Sequence, residues 1–422
     1  MNAFDKIFGY RSIKKELETL ADMMTNEEKY KKLGVSIPRG LLLYGNPGVG
    51  KTLMASCLIE ASGRPCFIVR KDKSDGDFVN EIKNSFNRAK EKAPSIVFLD
   101  DLDKYADSNG NNSNEEEYVT VQACMDDVKD RDVFVIATAN EKRYLPNSLI
   151  REGRLGRMIS VDNPKGQDAV DIIRHFLEGK EFVNEVNAED IAKMIGGASC
   201  AELESCINEA GIYAGMQGKE KIDIGDLKRG VMRILFSAPE SLEDVPEDVL
   251  LAIAYHEAGH ALISEITSPD SVGLVSVLVH DGPTRGITGL IESDRYWDDK
   301  TNLENRVRTM LGGKAATEIV YGKTDIGANS DLQRAYKIVA RFVDDYCSYS
   351  FDSFDRPGGS NELRERKDSR ITHEIERYYY ETKQILIKNR TLLDAIAKAL
   401  VRKKILLSSE LQEIKKATIA VK

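Results

Sequence analysis

An apolar run at Gly40–Tyr44 leads straight into Gly45-Asn46-Pro47-Gly48-Val49-Gly50-Lys51-Thr52 and then into a stretch with helical patterning. The segment satisfies G-x-x-x-x-G-K-[ST], in which glycines let backbone N–H groups curl around a phosphate at a helix N-terminus. A strand, such a loop and a helix in succession form one piece of a parallel sheet, because parallel strands need a crossover between them. The neighbouring sequence supplies the other pieces. Cys66–Val69, Ser95–Leu99 and Val133–Thr138 are further apolar runs separated by helical stretches. The first third of the chain is therefore expected to be a parallel α/β domain.

The parts needed to handle a nucleoside triphosphate follow in order. Lys51 is expected to reach the β- and γ-phosphates and Thr52 to ligate Mg²⁺. The strand Ile96–Leu99 ends in Asp100-Asp101, carboxylates placed for the Mg²⁺ side of the site. Val133–Thr138 runs on to Asn140, whose amide could orient an attacking water. Arg151, Arg154 and Arg157 recur every third residue in REGRLGR, a supply of cations for a neighbouring subunit's γ-phosphate.

A second chemistry lies downstream. His256-Glu257-Ala258-Gly259-His260 is H-E-x-x-H. On a helix, positions i and i+4 share a face, so both imidazoles can bind one Zn²⁺ while Glu257 serves as general base. Leu250–Ile266 has no proline and surrounds the motif with apolar residues, as a buried helix requires. The chain has only five histidines. A catalytic zinc needs a third protein ligand; His175, His280 and His373 are candidates, and carboxylates are too numerous for spacing to choose among them.

With 422 residues, the chain suits two or three domains. Its 60 Lys and Arg against 69 Asp and Glu give a formal charge of −9, which argues against general affinity for nucleic acid or anionic lipid. No apolar run approaches the length of a membrane-spanning helix, and Met1–Arg11 lacks the apolar core of a signal peptide, so a soluble, cytoplasmic protein is expected. The six cysteines form no CxxC pair and read as core residues in a reducing compartment. Boundaries are expected at 1–163 for the α/β part, 164–236 for a helical subdomain, 237–247 for an acidic, proline-containing linker and 248–422 for a mainly helical domain. Within the last, Val272–Val279 and Gly286–Ile291 suggest a small hairpin, and Glu365–Lys416 a packed helical pair. Asn109–Glu117 and Phe351–Asn361 read as exposed loops.

A phosphate loop followed by an HExxH helix resembles the FtsH family of ATP-dependent zinc metalloproteases, in which an AAA+ module with a helical lid precedes a zinc metallopeptidase domain. The resemblance extends over nearly the whole chain. It implies ATP, Mg²⁺ and Zn²⁺ as cofactors, polypeptide substrates and a homo-oligomeric ring, of six subunits in the family's pattern. Ile7 and Gly9, in Phe4–Gly9, would lie near adenine. GNPGVGKT and the following Leu53 resemble the family's Walker A segment, with Asn46, Pro47, Gly48, Val49, Gly50, Lys51 and Thr52 on the nucleotide. IVFLDD resembles Walker B (Asp100, Asp101), and IATAN supplies the sensor Asn140. Arg154 and Arg157 match the arginine fingers, while His175 and Gly197–Ala201, with Ala201, resemble lid segments that touch nucleotide. Gly312–Ala316 and Ala328–Leu332 resemble later motifs, and the second places the third zinc ligand on Asp331.

Three departures from the family pattern stand out. Family members typically carry membrane anchors before the ATPase module, which here begins almost at Met1. The second Walker B acid is usually Glu but is Asp101, one methylene shorter. The pore loop, normally an aromatic beside glycine, corresponds to Arg70–Asp77, which is shorter and has no aromatic; Phe78 reads as a core residue of the next helix. The leading expectation is an ATP-dependent zinc endopeptidase for unfolded or loosely folded proteins. The competing one is a nucleotide-gated remodelling or scaffold protein that cleaves little.

Overall fold

Leu41, Leu42 and Leu43 are completely buried, an apolar run with no polar alternation that only a strand covered on both faces can use. It forms β1 (Gly40–Tyr44), preceded by helices α1 (Arg11–Thr25) and α2 (Glu27–Lys31) and followed by α3 (Lys51–Ser62). Strand β2 (Cys66–Val69), α4 (Asp75–Glu91), β3 (Ser95–Leu99), α5 (Glu115–Asp127), β4 (Val133–Ala139), β5 (Arg157–Ser160) and α6 (Gly166–Leu177) complete the alternation. The computed structural model describes residues 2–34, 37–71, 75–105, 115–183, 186–238, 246–278, 286–291, 299–323, 326–349 and 360–420.

The five strands are parallel, in the order β2-β3-β4-β1-β5. β4 thus lies between β1 and β3, and the carboxyl ends of all three open on one edge of the sheet. That edge, beside the strand-order reversal at β1, is where α/β sheets bind ligands. Phe78 and Tyr105 pack edge to face beneath it, both fully buried, as expected for Phe78 in the core. β5 was not among the expected strands: the REGRLGR segment runs at Arg157 into an edge strand paired with β1.

The chain divides into two compact units, Met1–Glu178 with Ala198–Glu204, and Gly179–Gly197 with Ser205–Lys422. The second contains α7 (Ala188–Met194), most of α8 (Cys200–Met216), α9 (Ile224–Phe236), α10 (Glu247–Thr267), β6 (Val272–Ser276), β7 (Ile287–Leu290), α11 (Lys300–Tyr321), α12 (Asn329–Asp344), α13 (Asn361–Lys388), α14 (Arg390–Lys403), β8 (Ile405–Leu407) and α15 (Ser408–Ala420). The hairpin is present as antiparallel β6 and β7. β8 adds to the other side of β6. The expected helical pair at Glu365–Lys416 is corrected to three helices interrupted by β8, because Ile405–Leu407 buries its side chains against β6 instead of continuing α14.

The centre of the second unit is the crossing of α10 over α11. A Cβ at Gly259 would stand 2.3 Å from the Gly312 carbonyl oxygen, and one at Gly312 2.6 Å from that of Gly259. Only glycine permits this approach, which offsets its cost of about 1 kcal/mol within each helix. Ala254, Ala258, Ala261, Leu262, Ala315 and Ala316 fill the surrounding core with Val272, Val275, Leu393 and Ile396. Small residues on facing helices let the two backbones carry side chains into one confined space.

Candidate nucleotide site and candidate metal centre

In the first unit, the loop after β1 reaches α3 through Gly50, whose φ of 94° caps the helix in a left-handed turn. The N-terminal N–H groups of α3 then face the loop, as phosphate binding requires. Lys51 Nζ, nearly buried, donates to the carbonyls of Gly45 at 2.7 Å and Asn46 at 2.8 Å and to Asn140 Oδ1 at 2.9 Å. Burial lowers the Lys51 pKa from its ordinary value, partly opposed by Asp101, Asp103 and Asp100. Thr52 Oγ1 lies 3.3 Å from Asp100 Oδ1, which also accepts from Thr138 Oγ1 at 2.8 Å. A hydroxyl and a buried carboxylate side by side at the phosphate loop fit Mg²⁺.

Asp101 follows in a left-handed conformation, φ 53°, with its amide donating to Thr138 Oγ1 at 2.8 Å and its carboxylate on Lys104 at 2.6 Å. A non-glycine residue held there stores about 1–2 kcal/mol of strain, a feature that clusters at functional sites. Ile7 is buried, Gly9 packs on the Asp168 backbone, and Phe8 stacks on His175 with ring centroids 3.7 Å apart. Ala201 N donates to Gly48 O at 3.0 Å. Val49 is buried, whereas Leu53 is half-exposed.

In the second unit, His256 and His260 lie one turn apart on α10, and Asp331 lies in the first turn of α12. His260 Nε2 is 3.0 Å from His256 Nε2, and Asp331 Oδ2 is 3.3 Å from both. His260 Nδ1 stands 2.7 Å from the Thr309 carbonyl, to which only a protonated nitrogen can donate. That fixes a tautomer with the Nε2 lone pair facing the other two groups. Ligands about 2.0–2.1 Å from one tetrahedral ion stand roughly 3.3 Å apart, so these donors fit Zn²⁺. The two imidazoles outweigh burial and hold the Asp331 carboxyl far below the usual carboxylate range. Arg334 Nη2 donates to the other Asp331 oxygen at 2.5 Å.

Gly313 leaves the space: a Cβ there would stand 2.5 Å from the Nε2 atoms of His256 and His260. Glu257 makes its side-chain hydrogen bond outside this triangle. Its Oε2 accepts from Thr288 Oγ1 on β7 at 2.8 Å, and Gly286 lies against the carboxylate. Burial raises the Glu257 pKa, opposed by His260, His256 and Thr288. A raised carboxylate beside a metal site suits proton transfer near neutrality.

Two families of known proteins match the corresponding regions. Residues 41–163 match the ATPase family associated with various cellular activities, and residues 247–414 match peptidase family M41. The ATP-dependent zinc metalloprotease FtsH 2 of Thermoanaerobacter sp. (strain X514) is 30% identical over 426 residues, covering 97% of this chain and 82% of that protein. The chain belongs to the FtsH family. FtsH of Helicobacter pylori (strain J99 / ATCC 700824) is 29% identical over 442 residues, 97% of this chain and 70% of its own. FtsH 3 of Petrotoga mobilis is 27% identical over 445 residues, 97% and 68%. Among the described residues, no helix is long and apolar enough to cross a membrane.

Within this FtsH-family framework, some residues picked from the sequence converge and others do not. His256, His260 and Asp331 meet; of the histidines considered for the third position, His175 stacks on Phe8 in the first unit and His373 lies on α13 among Glu362, Arg366 and Ser369. His280 lies outside the described residues, as do parts of Arg70–Asp77, of both expected loops and most of 237–247. Arg154, expected from the resemblance to serve a neighbouring subunit as an arginine finger, is 3% exposed and forked onto Asp126 by Nε at 2.9 Å and Nη2 at 2.6 Å. Arg157 is half-exposed and pairs with Glu16 at 2.7 Å. Sequence reasoning missed Thr288, Thr309, Thr138 and Asp103, whose Oδ2 accepts from the backbone N–H of Asn140 at 3.0 Å. Only Gly313 left a trace, because a glycine pair inside a helical pattern signals close approach.

Proposed function

We propose that this chain is an ATP-dependent zinc endopeptidase that degrades unfolded or loosely folded polypeptides as a homo-oligomeric ring, of six subunits on the family's pattern. The observation that carries the reading is the triangle of lone pairs on His256, His260 and Asp331 with a buried carboxylate, Glu257, beside it. Zn²⁺ held there would polarise the scissile carbonyl and acidify a water. Glu257 takes the water's proton and passes it to the leaving amine, with Thr288 fixing the carboxylate's orientation. β7 is the edge of its sheet and carries Thr288, so an extended substrate added alongside β7 would run past the base.

In the first unit, Lys51 and the α3 N-terminus hold the phosphates, Thr52 and Asp100 face the cation, and Asn140 orients the attacking water. Ile7, Gly9 and the Phe8–His175 stack flank the base, and Arg157 is the cation available to a neighbouring subunit. Mixing the chain with an unfolded casein, with and without ATP, tests the whole reading: ATP-stimulated digestion abolished by a zinc chelator is expected. A second reading, a nucleotide-gated remodelling factor with little proteolysis, is favoured by the ion pair that engages Asp101 with Lys104. ATP turnover without casein digestion would establish it.

A further inference from the structure

β2 pairs with β3 in a register that sets Val69 opposite Leu99, so the next residue on each strand, Arg70 and Asp100, emerge together at the sheet edge. Arg70 Nε and Nη2 both lie 2.9 Å from Asp100 Oδ2. The opposite oxygen, Oδ1, is the one that faces Thr52 and Thr138. The carboxylate is only 9% exposed, whereas the Arg70 side chain is 60% exposed, so the guanidinium caps the solvent side of the acid from outside. Lys71 anchors the same strand end by donating to the Tyr105 carbonyl at 3.0 Å. Asp101 is neutralised in parallel by Lys104.

We propose that Arg70 is a positioning residue that shares the Asp100 carboxylate with the divalent cation of the nucleotide site and thereby weakens that site's hold on the cation. The proposal rests on the ATP-binding reading above. A cation gains affinity from the full charge of a carboxylate, and a guanidinium already bonded to one oxygen withdraws part of it. The same hydrogen bonds fix the carboxylate's rotation, leaving Oδ1 toward Thr52. These two effects oppose one another. Charge sharing predicts that loss of Arg70 tightens cation binding, whereas a purely orienting role predicts that it loosens it. The buried acid and paired bonds to a single oxygen favour charge sharing, because Thr138 already fixes the rotation from the other side.

The experiment follows binding of a fluorescent ATP analogue to the full chain while Mg²⁺ is raised from a chelated baseline. Arg70→Ala is expected to lower the half-saturating Mg²⁺ about tenfold, the scale of one charge-assisted hydrogen bond to a carboxylate, and Arg70→Lys to change it less. Unchanged or higher half-saturating Mg²⁺ in Arg70→Ala would overturn the proposal. If the alanine variant melts well below wild type, Arg70→Met keeps the apolar stem and is read by the same criterion. Wild-type chain that binds no analogue at any Mg²⁺ concentration would instead sink the ATP-binding reading itself.

Discussion

The two sites handle charge in opposite ways. In the peptidase unit, His256, His260 and Asp331 turn acceptor atoms toward one another across 3.0–3.3 Å, an arrangement that calls for a cation between them. At the nucleotide site, the acids already carry protein cations, Arg70 on Asp100 and Lys104 on Asp101. One site turns its acceptor atoms inward toward a cation, the other carries charges that must be shared. Disturbing the first should therefore cost chemistry or metal outright, while changes near the second should shift affinities and stability by smaller amounts.

The largest effect is expected from Glu257→Gln. Glu257 makes no bond within the ligand triangle and bonds Thr288 instead, so the substitution removes the proton acceptor and leaves the ligands in place. Proteolysis should fall about 10³-fold or more, with zinc content and ATP turnover near wild type. Activity within about tenfold of wild type would assign the base to another group. Next comes Gly313→Ala, which places a methyl 2.5 Å from both ligand nitrogens. Zinc affinity, measured by competition with a chromophoric chelator, should drop about 10–100-fold. Unchanged affinity would mean that α11 yields easily and the triangle is less preorganised than its distances imply.

These two predictions also mark where sequence was sufficient. HEAGH and GNPGVGKT are contiguous, so helical phase and loop geometry alone assign most of their residues to roles. Asp331 is 75 positions from His256, beyond any local period, and was reached only through family resemblance. Four parallel strands were legible because each is a continuous apolar run. β5 was not, because an edge strand with exposed Arg157 and Ser160 resembles a turn. β8 was hidden for a different reason: three apolar residues between helices carry no signal of period 2 long enough to read. The Arg70–Asp100 pair depends on strand register, which no single segment encodes.

The third prediction separates two arginines that sequence treats alike. Arg154 is buried and forked onto Asp126, and it donates to the Ser148 carbonyl at 2.5 Å. Arg154→Ala should destabilise the first unit by about 2 kcal/mol, seen as a lower melting temperature. Arg157→Ala, with its exposed ion pair to Glu16, should change stability by less than about 1 kcal/mol and reduce ATP turnover only in assembled rings. Equal melting temperatures for the two variants would return Arg154 to the surface role. Lost turnover in both variants despite unchanged melting would restore it as a finger.

The smallest expected effect concerns a charge pair of the peptidase unit that touches no ligand. α11 supplies Thr309 and Gly313 to the metal centre, and its later turns are braced on α13 through Glu318. Lys383 donates to Glu318 Oε1 at 2.6 Å and Tyr379 to Oε2. These bonds, Lys383 first, depress the Glu318 pKa to about 2, against about 4.3 in an unfolded chain. A depressed carboxyl contributes stability that is fully present above the unfolded pKa and is lost as pH falls through the folded one. With 31% of the side chain exposed, solvent screening holds the contribution to about 1 kcal/mol. Glu318→Gln should thus lower the denaturation midpoint of the peptidase transition at pH 7, and the gap from wild type should narrow by about pH 3.5. A gap that stays constant over this range would show that Glu318 acts through packing and hydrogen bonding alone.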